Sequence, residues 1–443
     1  MSELPVVVVG AGPVGLAAAA HLVERGLEPL VLERGPIAGA SVAEWNHVRL
    51  FSAWSELVDP AAGRLLDRGG WERPEPAAYP TGREWAQRYL RPLAVALGER
   101  VRFGAEVVGV SRRDRDRVVD SGREGAPFVV RLRVGDTEER VQAKAVVDAS
   151  GTWSTPNPLG GDGLPAIGET GAADRIAYRV PDLADDSVRD RYAGRHVVVA
   201  GSGHSALTAL VAFSGLAEDF PGTRISWVLR RGGVGDTFGG GEADELPARG
   251  ALGLRAKAAV EAGLVTVVTG FRTDAVERGD DGRLALVSSA GQRIEGIDEV
   301  VTLCGFRPEL GWLSEVRLGL DATLQAPVEL APLIDPNVHS CGTVYPHGAK
   351  ELAHPEENFF LAGMKSYGRA PTFLAMTGYE QVRSIAAALA GDHEAAARVE
   401  LVLAETGVCG GSGLFDDADS AEAGCCGASE PELMTLSAPS ANR

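Results

Sequence analysis

The chain has 443 residues, is 45% hydrophobic and carries a formal net charge of -18. That length accommodates two or three domains with sizeable cores, and the acidic balance argues against nucleic acid or an anionic membrane surface as partner. Five cysteines, two of them adjacent, do not make a structural disulfide framework. The first apolar run, LPVVVVGAGPVGLAAAAHL, has no basic start and is broken by glycines, so it reads as strand, turn and helix rather than a secretory signal. No other run reaches the roughly 18 apolar residues that a spanning helix needs. A cytoplasmic location is expected.

That first run is the start of a βαβ unit. Four valines predict a buried strand, and Gly10, Gly12 and Gly15 form G-x-G-x-x-G at the opening of an alanine-rich helix. A second strand, LEPLVLE, ends at Glu33. Gly10 allows the tight turn, Gly12 lets backbone approach a pyrophosphate, and Gly15 permits close helix packing. The helix N-terminus favours phosphate charge, and Glu33 is positioned to accept ribose hydroxyls.

The pattern recurs in RHVVVAGSGHSALTALVAFSG, with Gly201, Gly203 and then Ala206 in the third position. Ser205 lies in the first turn of the helix that follows. The next strand, RISWVLRRGG, ends in Arg230 and Arg231 where the first unit has its acid. Two arginines suit a 2′-phosphate, which predicts NADPH rather than NADH here. FGGGEADELPARG, residues 238–250, reads as a solvent loop of this second unit.

A quieter repeat follows each unit. AVVDASGTWSTP (145–156) and EVVTLCGFRP (299–308) both run from a buried strand into glycine and then proline. Further on, NFFLAGMKSYGRAPTFLAMTGYEQVRSIAAALAGD predicts a strand reaching Gly363, a loop, and a helix from Pro371–Thr372 to about Leu389. His339, Cys341, His347 and His354 cluster in HSCGTVYPHGAKELAH without the spacing of a zinc site, so no metal is assigned. Loop and core packing is the expected role, with Cys341 a further candidate thiol. From Glu405 onward the chain is rich in Gly, Ala and Ser, with seven acidic residues and one basic residue, which predicts a flexible tail. Cys409, Cys425 and Cys426 lie in it. Thiolates select soft, thiophilic species, so these cysteines are candidate substrate thiols.

GAGPVG, GSGHSA, DASGTW, CGFRP and AGMKSYGRAPTF, in this order, resemble the flavin-containing monooxygenase and thioredoxin-reductase superfamily over roughly residues 4 to 393. The resemblance implies an α/β fold with two Rossmann-like dinucleotide-binding domains and a flexible C-terminal tail. Its expected divisions are an FAD domain over 1–160, an inserted NADPH domain over 161–325, a return to the FAD domain over 326–395, and the tail over 396–443. It implies FAD contacts at Gly10, Gly12, Gly15, Glu33, Arg34, Trp45, Arg49, Val108, Gly151, Gly363 and Thr372. The NADPH contacts it implies are Gly201, Gly203, Ser205, Arg230 and Arg231. More narrowly, CGTVYPHGAKELAHPEENFFLAGMKSYGRAPTF, ETGVC and the late CC resemble flavoproteins encoded with arsenic-resistance genes, described as flavin-dependent monooxygenases.

Two departures stand out. The monooxygenase signature F-x-G-x-x-x-H-x-x-x-[YF] is replaced by PAIGETGAADRIAY, and the common Gly-Asp before the last helix is Gly363–Met364. No C-x-x-C or C-x-x-x-x-C stands beside the flavin segment, which argues against reduction of an ordinary disulfide. The expected function is an FAD- and NADPH-dependent monooxygenase that uses oxygen on a soft nucleophile, most simply a trivalent arsenical, without an obligatory side-chain nucleophile. Two alternatives stay open: a metal or metalloid reductase that captures its ion on the cysteine pair, and a metalloid-binding redox sensor on a flavoprotein scaffold. A homodimer is compatible with either.

Overall fold

Val6–Val9 form strand β1, Pro13–Glu24 helix α1 and Pro29–Leu32 strand β2 in a computed structural model, which describes residues 4–401 except Glu245, residues 339–346 and Thr372. Val6, Val7 and Val8 are fully buried. Parallel strands covered on both faces read as unbroken hydrophobic runs, and each such valine contributes about 1.5–3 kcal/mol of burial. Strands β3 (Val101–Arg102), β4 (Glu106–Arg112), β5 (Phe128–Val134), β6 (Thr137–Ala143) and β7 (Ala145–Asp148) follow.

The same sequence of parts then repeats. After β8 (Ile176–Ala177) come β9 (His196–Ala200), helix α2 (His204–Asp219) and β10 (Arg224–Val228). Helix α3 (Pro247–Glu261), β11 (Val265–Val268), β12 (Thr273–Arg278), β13 (Leu284–Ser288), β14 (Arg293–Ile297) and β15 (Glu299–Thr302) complete it. Strand β16 (Phe359–Leu361) and helix α4 (Ala375–Leu389) return to the first half.

Two parallel five-stranded sheets result, ordered β16-β7-β1-β2-β3 and β11-β10-β9-β15-β8. Each has a three-stranded antiparallel sheet beside it in sequence, β4-β5-β6 and β12-β13-β14. This is the expected α/β class with two Rossmann-like cores. Strand β16 pairs with β7, so a segment from beyond residue 350 completes the sheet that β1 began.

The segments that connect the halves pair with each other. Pro156 and Phe306 form an antiparallel bridge, the Asn157 amide donates to the Gly305 carbonyl at 2.9 Å, and the Arg307 amide donates to the Thr155 carbonyl at 2.9 Å. The Trp153 and Phe306 rings lie 4.9 Å apart. Trp153 Nε1 also donates to Glu44 at 2.9 Å, and the Arg179 guanidinium sits 3.3 Å from Glu44 and 4.7 Å from the Trp153 ring. The linkers are therefore clasped to the first half.

Two expectations change. Helix α4 starts at Ala375 rather than Pro371–Thr372, because Leu374 is extended (φ -109°, ψ 147°) and serves as its N-cap. The 238–250 segment is more than a solvent loop: Asp244 and Arg249 form a buried ion pair at 2.6 Å inside it. Gly250 and Gly253 let α3 press on this loop, since a Cβ there would stand 2.0 Å from the Gly241 carbonyl and 1.8 Å from that of Phe238. Among the described residues no helix is long and apolar enough to cross a membrane.

Candidate active site

The turn after β1 carries the first cradle. Gly10 has φ +99°, and a Cβ on it would meet the Ala149 carbonyl at 2.9 Å. A Cβ on Gly15 would sit 2.0 Å from the Gly10 carbonyl oxygen. Gly12 is different: a Cβ there meets nothing within 4 Å, so the backbone faces open space at the N-terminus of α1. The three glycines thus do three separate jobs. Turn, open approach and close packing are what a bound pyrophosphate requires of this motif.

Glu33, at the end of β2, is buried and fixes the turn. Its Oε2 accepts from the Ala11 amide at 2.7 Å and its Oε1 from the Gly35 amide at 2.7 Å. A carboxylate has about four lone-pair sites, so capacity remains for sugar hydroxyls. Arg34 and Gly35 line a cavity of about 500 Å³ together with Gly104, Glu106 and Glu44. Val108 lies nearby on β4, in a bulge: β4 pairs Val107 with Leu132 and Gly109 with Arg131, leaving Val108 between them. A bulged residue keeps its backbone groups out of the ladder, where they can serve a ligand.

Gly151 (φ +70°) follows β7, and Gly363 (φ +70°) follows β16, with its Cβ position 3.2 Å from Val14 of α1. Gly10, Gly151 and Gly363 therefore gather at the carboxyl ends of three adjacent strands, where open parallel sheets bind ligands. Trp45 packs against the Trp85 ring at 6.4 Å and beneath Gly82. Arg49 is exposed and donates to the Tyr79 carbonyl. Thr372 lies outside the described residues.

The second cradle repeats the first. Gly201 has φ +126° and a Cβ on it would meet the Leu303 carbonyl at 2.3 Å, whereas a Cβ on Gly203 meets nothing within 4 Å. Ala206 is fully buried in the packing position and Ser205 is exposed in the first turn of α2. Arg230 and Arg231 follow β10 after Leu229; Arg230 is exposed and reaches the Gly161 carbonyl at 3.4 Å. The ring of Phe51, from the first half, lies 5.1 Å from that of His204 at the start of α2. The second cradle is thereby held against the first half.

Among the described residues Cys304 is the free cysteine. It follows β15, and burial pushes its thiol up to about 11. Cys341, Cys409, Cys425 and Cys426 lie outside the described residues, as does His339. His347 is buried 2.8 Å from the Gln381 amide nitrogen and stacks near Tyr367. His354 accepts from the Gly319 amide at 3.3 Å, and burial depresses its pKa to about 4. No group of three or more potential ligands among the described residues is arranged to hold a metal.

Sequence reasoning passed over two features. Glu169 is a buried hub in PAIGETGAADRIAY that accepts from the Leu159 amide at 3.0 Å, the Ala166 amide at 2.7 Å and the Tyr178 hydroxyl at 2.6 Å. Lys365, in AGMKSYG, is fully buried 2.7 Å from Asp148. A charged residue amid an apolar motif was the available signal for the second.

Comparison with known proteins agrees with this geometry. Residues 7–330 match the pyridine nucleotide-disulphide oxidoreductase family. A ferredoxin–NADP reductase of Ignicoccus hospitalis is 28% identical over 319 residues, covering 71% of this chain and 81% of that protein. The rice indole-3-pyruvate monooxygenase YUCCA1 is 27% identical over 213 residues, 45% of this chain and 43% of that protein. The bacillithiol disulfide reductase Bdr from Bacillus cereus superposes with a TM-score of 0.64 at 20% identity, covering 88% of this chain and 99% of that one. With two dinucleotide cradles and a family match over most of its length, the chain belongs to the pyridine nucleotide-disulphide oxidoreductase family and is a flavin-dependent, pyridine-nucleotide-linked oxidoreductase.

Proposed function

We propose that the protein is an FAD- and NADPH-dependent monooxygenase of a soft nucleophile, with a trivalent arsenical as its substrate. In this reading Gly12 and the α1 N-terminus hold the FAD pyrophosphate, and Glu33 takes the ribose hydroxyls. Arg34 and the Val108 backbone face the adenine, and Gly151 and Gly363 floor the remaining length. Gly203 and Ser205 hold the NADPH pyrophosphate, with Arg230 and Arg231 on its 2′-phosphate.

The observation that carries the oxygenase reading is the state of the cysteines around two open cradles. Cys304 is partly buried with its thiol pushed up to about 11, and the sequence has no cysteine pair at disulfide-reductase spacing beside the flavin segment. Electrons entering from NADPH then leave to oxygen more simply than to a disulfide. The bound flavin supplies the redox and oxygen-activating chemistry; the chain supplies binding, orientation and exclusion of water. The balance is closed: NADPH and trivalent arsenic each give two electrons, one oxygen atom of O2 passes to arsenic, and the other leaves as water with one proton from solvent.

The arsenical rests on the tail cysteines and on the resemblance to flavoproteins of arsenic-resistance operons. Cys409 and the Cys425–Cys426 pair supply three soft sulfurs close together in sequence. A reductase reading is favoured by the names of two relatives, a ferredoxin–NADP reductase and a bacillithiol disulfide reductase. Steady-state NADPH oxidation, with and without arsenite and with catalase present, separates them. Arsenite should stimulate the wild type and stimulate much less a variant with Cys409, Cys425 and Cys426 changed to Ser. NADPH oxidation by ferredoxin or a disulfide in the absence of oxygen would favour the reductase instead.

A further inference from the structure

Glu380 and Arg383, one turn apart on α4, form a buried ion pair: Arg383 Nη2 lies 2.7 Å from Glu380 Oε1 and Nε lies 3.0 Å from Oε2. Desolvation offsets most of the attraction in such a pair, so it contributes little net stability. Its partners say more than its energy.

The pair grips the end of the described chain. After α4 the backbone reverses at Gly391 (φ +78°), and Asp392 caps a short helical turn, His393–Ala397, by accepting from the Ala395 amide at 3.0 Å. Arg383 donates to the carbonyl of Ala395 at 2.8 Å and to that of Arg398. Ser384 Oγ donates to the Ala396 carbonyl at 2.6 Å, and the Glu400 amide donates to Glu380 Oε1 at 3.2 Å. These partners are backbone groups, so the clamp fixes the path of the chain itself.

That path has a direction. Ala396, Arg398 and Glu400 lie against Ser384, Arg383 and Glu380 in turn, so the chain climbs back along α4 toward the helix N-terminus. The same stretch of α4 closes the first cradle. Gln381 Oε1 accepts from the Gly363 amide at 2.7 Å, and a Cβ on Gly378 would stand 2.6 Å from Val14 in the first turn of α1. The root of the tail and the cradle thus share one helix, about 10–12 Å apart across its width. Cys409 is nine positions beyond Glu400, a span of at most about 30 Å. Without the clamp it would be tethered eighteen positions back at Gly391, with up to about 60 Å of chain.

We infer that Glu380 and Arg383 are positioning residues that root the C-terminal tail beside the first cradle of its own chain, so that Cys409 serves the flavin of the same subunit and not a partner's. The inference rests on the reading of Cys409 as a substrate thiol. Capture of arsenous acid forms an As–S bond, and one arsenic hydroxyl leaves as water with the thiol proton. Hydrolysis at the cradle reverses the step, with arsenic trivalent throughout.

Energy transfer from bound flavin to an acceptor dye on Cys409, in a holoprotein whose other four cysteines are changed to Ser, tests the rooting without turnover. Labelling should quench flavin emission by at least about half, given the short tether. Glu380→Gln/Arg383→Met removes both charges together, and it should recover about half of that loss as the tether doubles, with flavin content unchanged. Two differently tagged chains, co-expressed and purified on both tags, give the subunit test. One keeps labelled Cys409 but loses flavin through Gly12→Ala; the other keeps flavin and carries Cys409→Ser. Its flavin should stay unquenched; if no mixed species forms, quenching in the single chain is intramolecular and supports the inference equally. No quenching in the single chain, quenching untouched by the double variant, or equal quenching in the mixed species would each overturn it. Quenching as expected, but NADPH oxidation indifferent to arsenite, would sink the arsenical reading and leave the rooting in place.

Discussion

The Glu33 carboxylate accepts from the Ala11 amide at 2.7 Å, tying the end of one strand to the middle of the glycine turn that follows its neighbour. One side chain thus shapes the cradle and lines it. Because Oε1 is also engaged by the Gly35 amide at 2.7 Å, the carboxylate carries two charge-assisted bonds before any ligand arrives. Replacing it with Gln keeps the volume but leaves an amide NH2 facing a backbone N–H. Glu33→Gln should lower stability by about 2 kcal/mol and lose most bound flavin, read as the ratio of flavin to protein absorbance after gel filtration.

Gly12 and Gly15 separate binding from folding. Gly12→Ala places its methyl in open space, so the melting temperature of the flavin-free protein should stay within about 2 °C of wild type while FAD content collapses. Gly15→Ala drives a Cβ to 2.0 Å from the Gly10 carbonyl and should instead compromise soluble folded protein. Parallel thermal denaturation and flavin quantification distinguish the two behaviours.

The second cradle gives the matching test for the nucleotide. Arg230→Ala/Arg231→Ala should raise KM for NADPH by about 10- to 100-fold, as expected for losing charge-assisted contacts to a phosphate, with KM for NADH nearly unchanged. Gly203→Ala should raise KM for both nucleotides and leave flavin content intact. Initial rates at varied NADPH and NADH read both outcomes.

His354 predicts an acid limb of stability. Its folded pKa, about 4, lies below the unfolded value near 6.5. Between these pH values the unfolded chain binds a proton that the folded one refuses, so stability rises with pH across that window. The contribution is complete above about 6.5 and declines by up to about 3 kcal/mol as pH falls toward 4. His354→Asn keeps an acceptor for the Gly319 amide without the titration. Urea midpoints for this variant should fall less steeply than for wild type from pH 6.5 to 4.

The parts of the fold that depend on local pattern were readable in the chain. Unbroken valine runs mark doubly covered strands, and positive φ at Gly10 and Gly201 leaves few other residues possible. The repeat of strand, glycine turn and helix therefore showed both halves. What pattern does not carry is long-range pairing of polar groups. The Lys365–Asp148 pair spans more than two hundred positions, and the bulge at Val108 depends on the register of β5. The start of α4 moved for a local reason instead: Pro371 suits a first helical turn, but the extended backbone at Leu374 defers the helix to Ala375.

The most direct measurement reduces the yellow protein with NADPH under anaerobic conditions and then admits air, with and without arsenite. NADP+, peroxide and arsenate are counted per flavin. The account predicts arsenate appearing in step with NADP+ and peroxide falling to match. Equal NADPH oxidation with and without arsenite, yielding only peroxide, would contradict it.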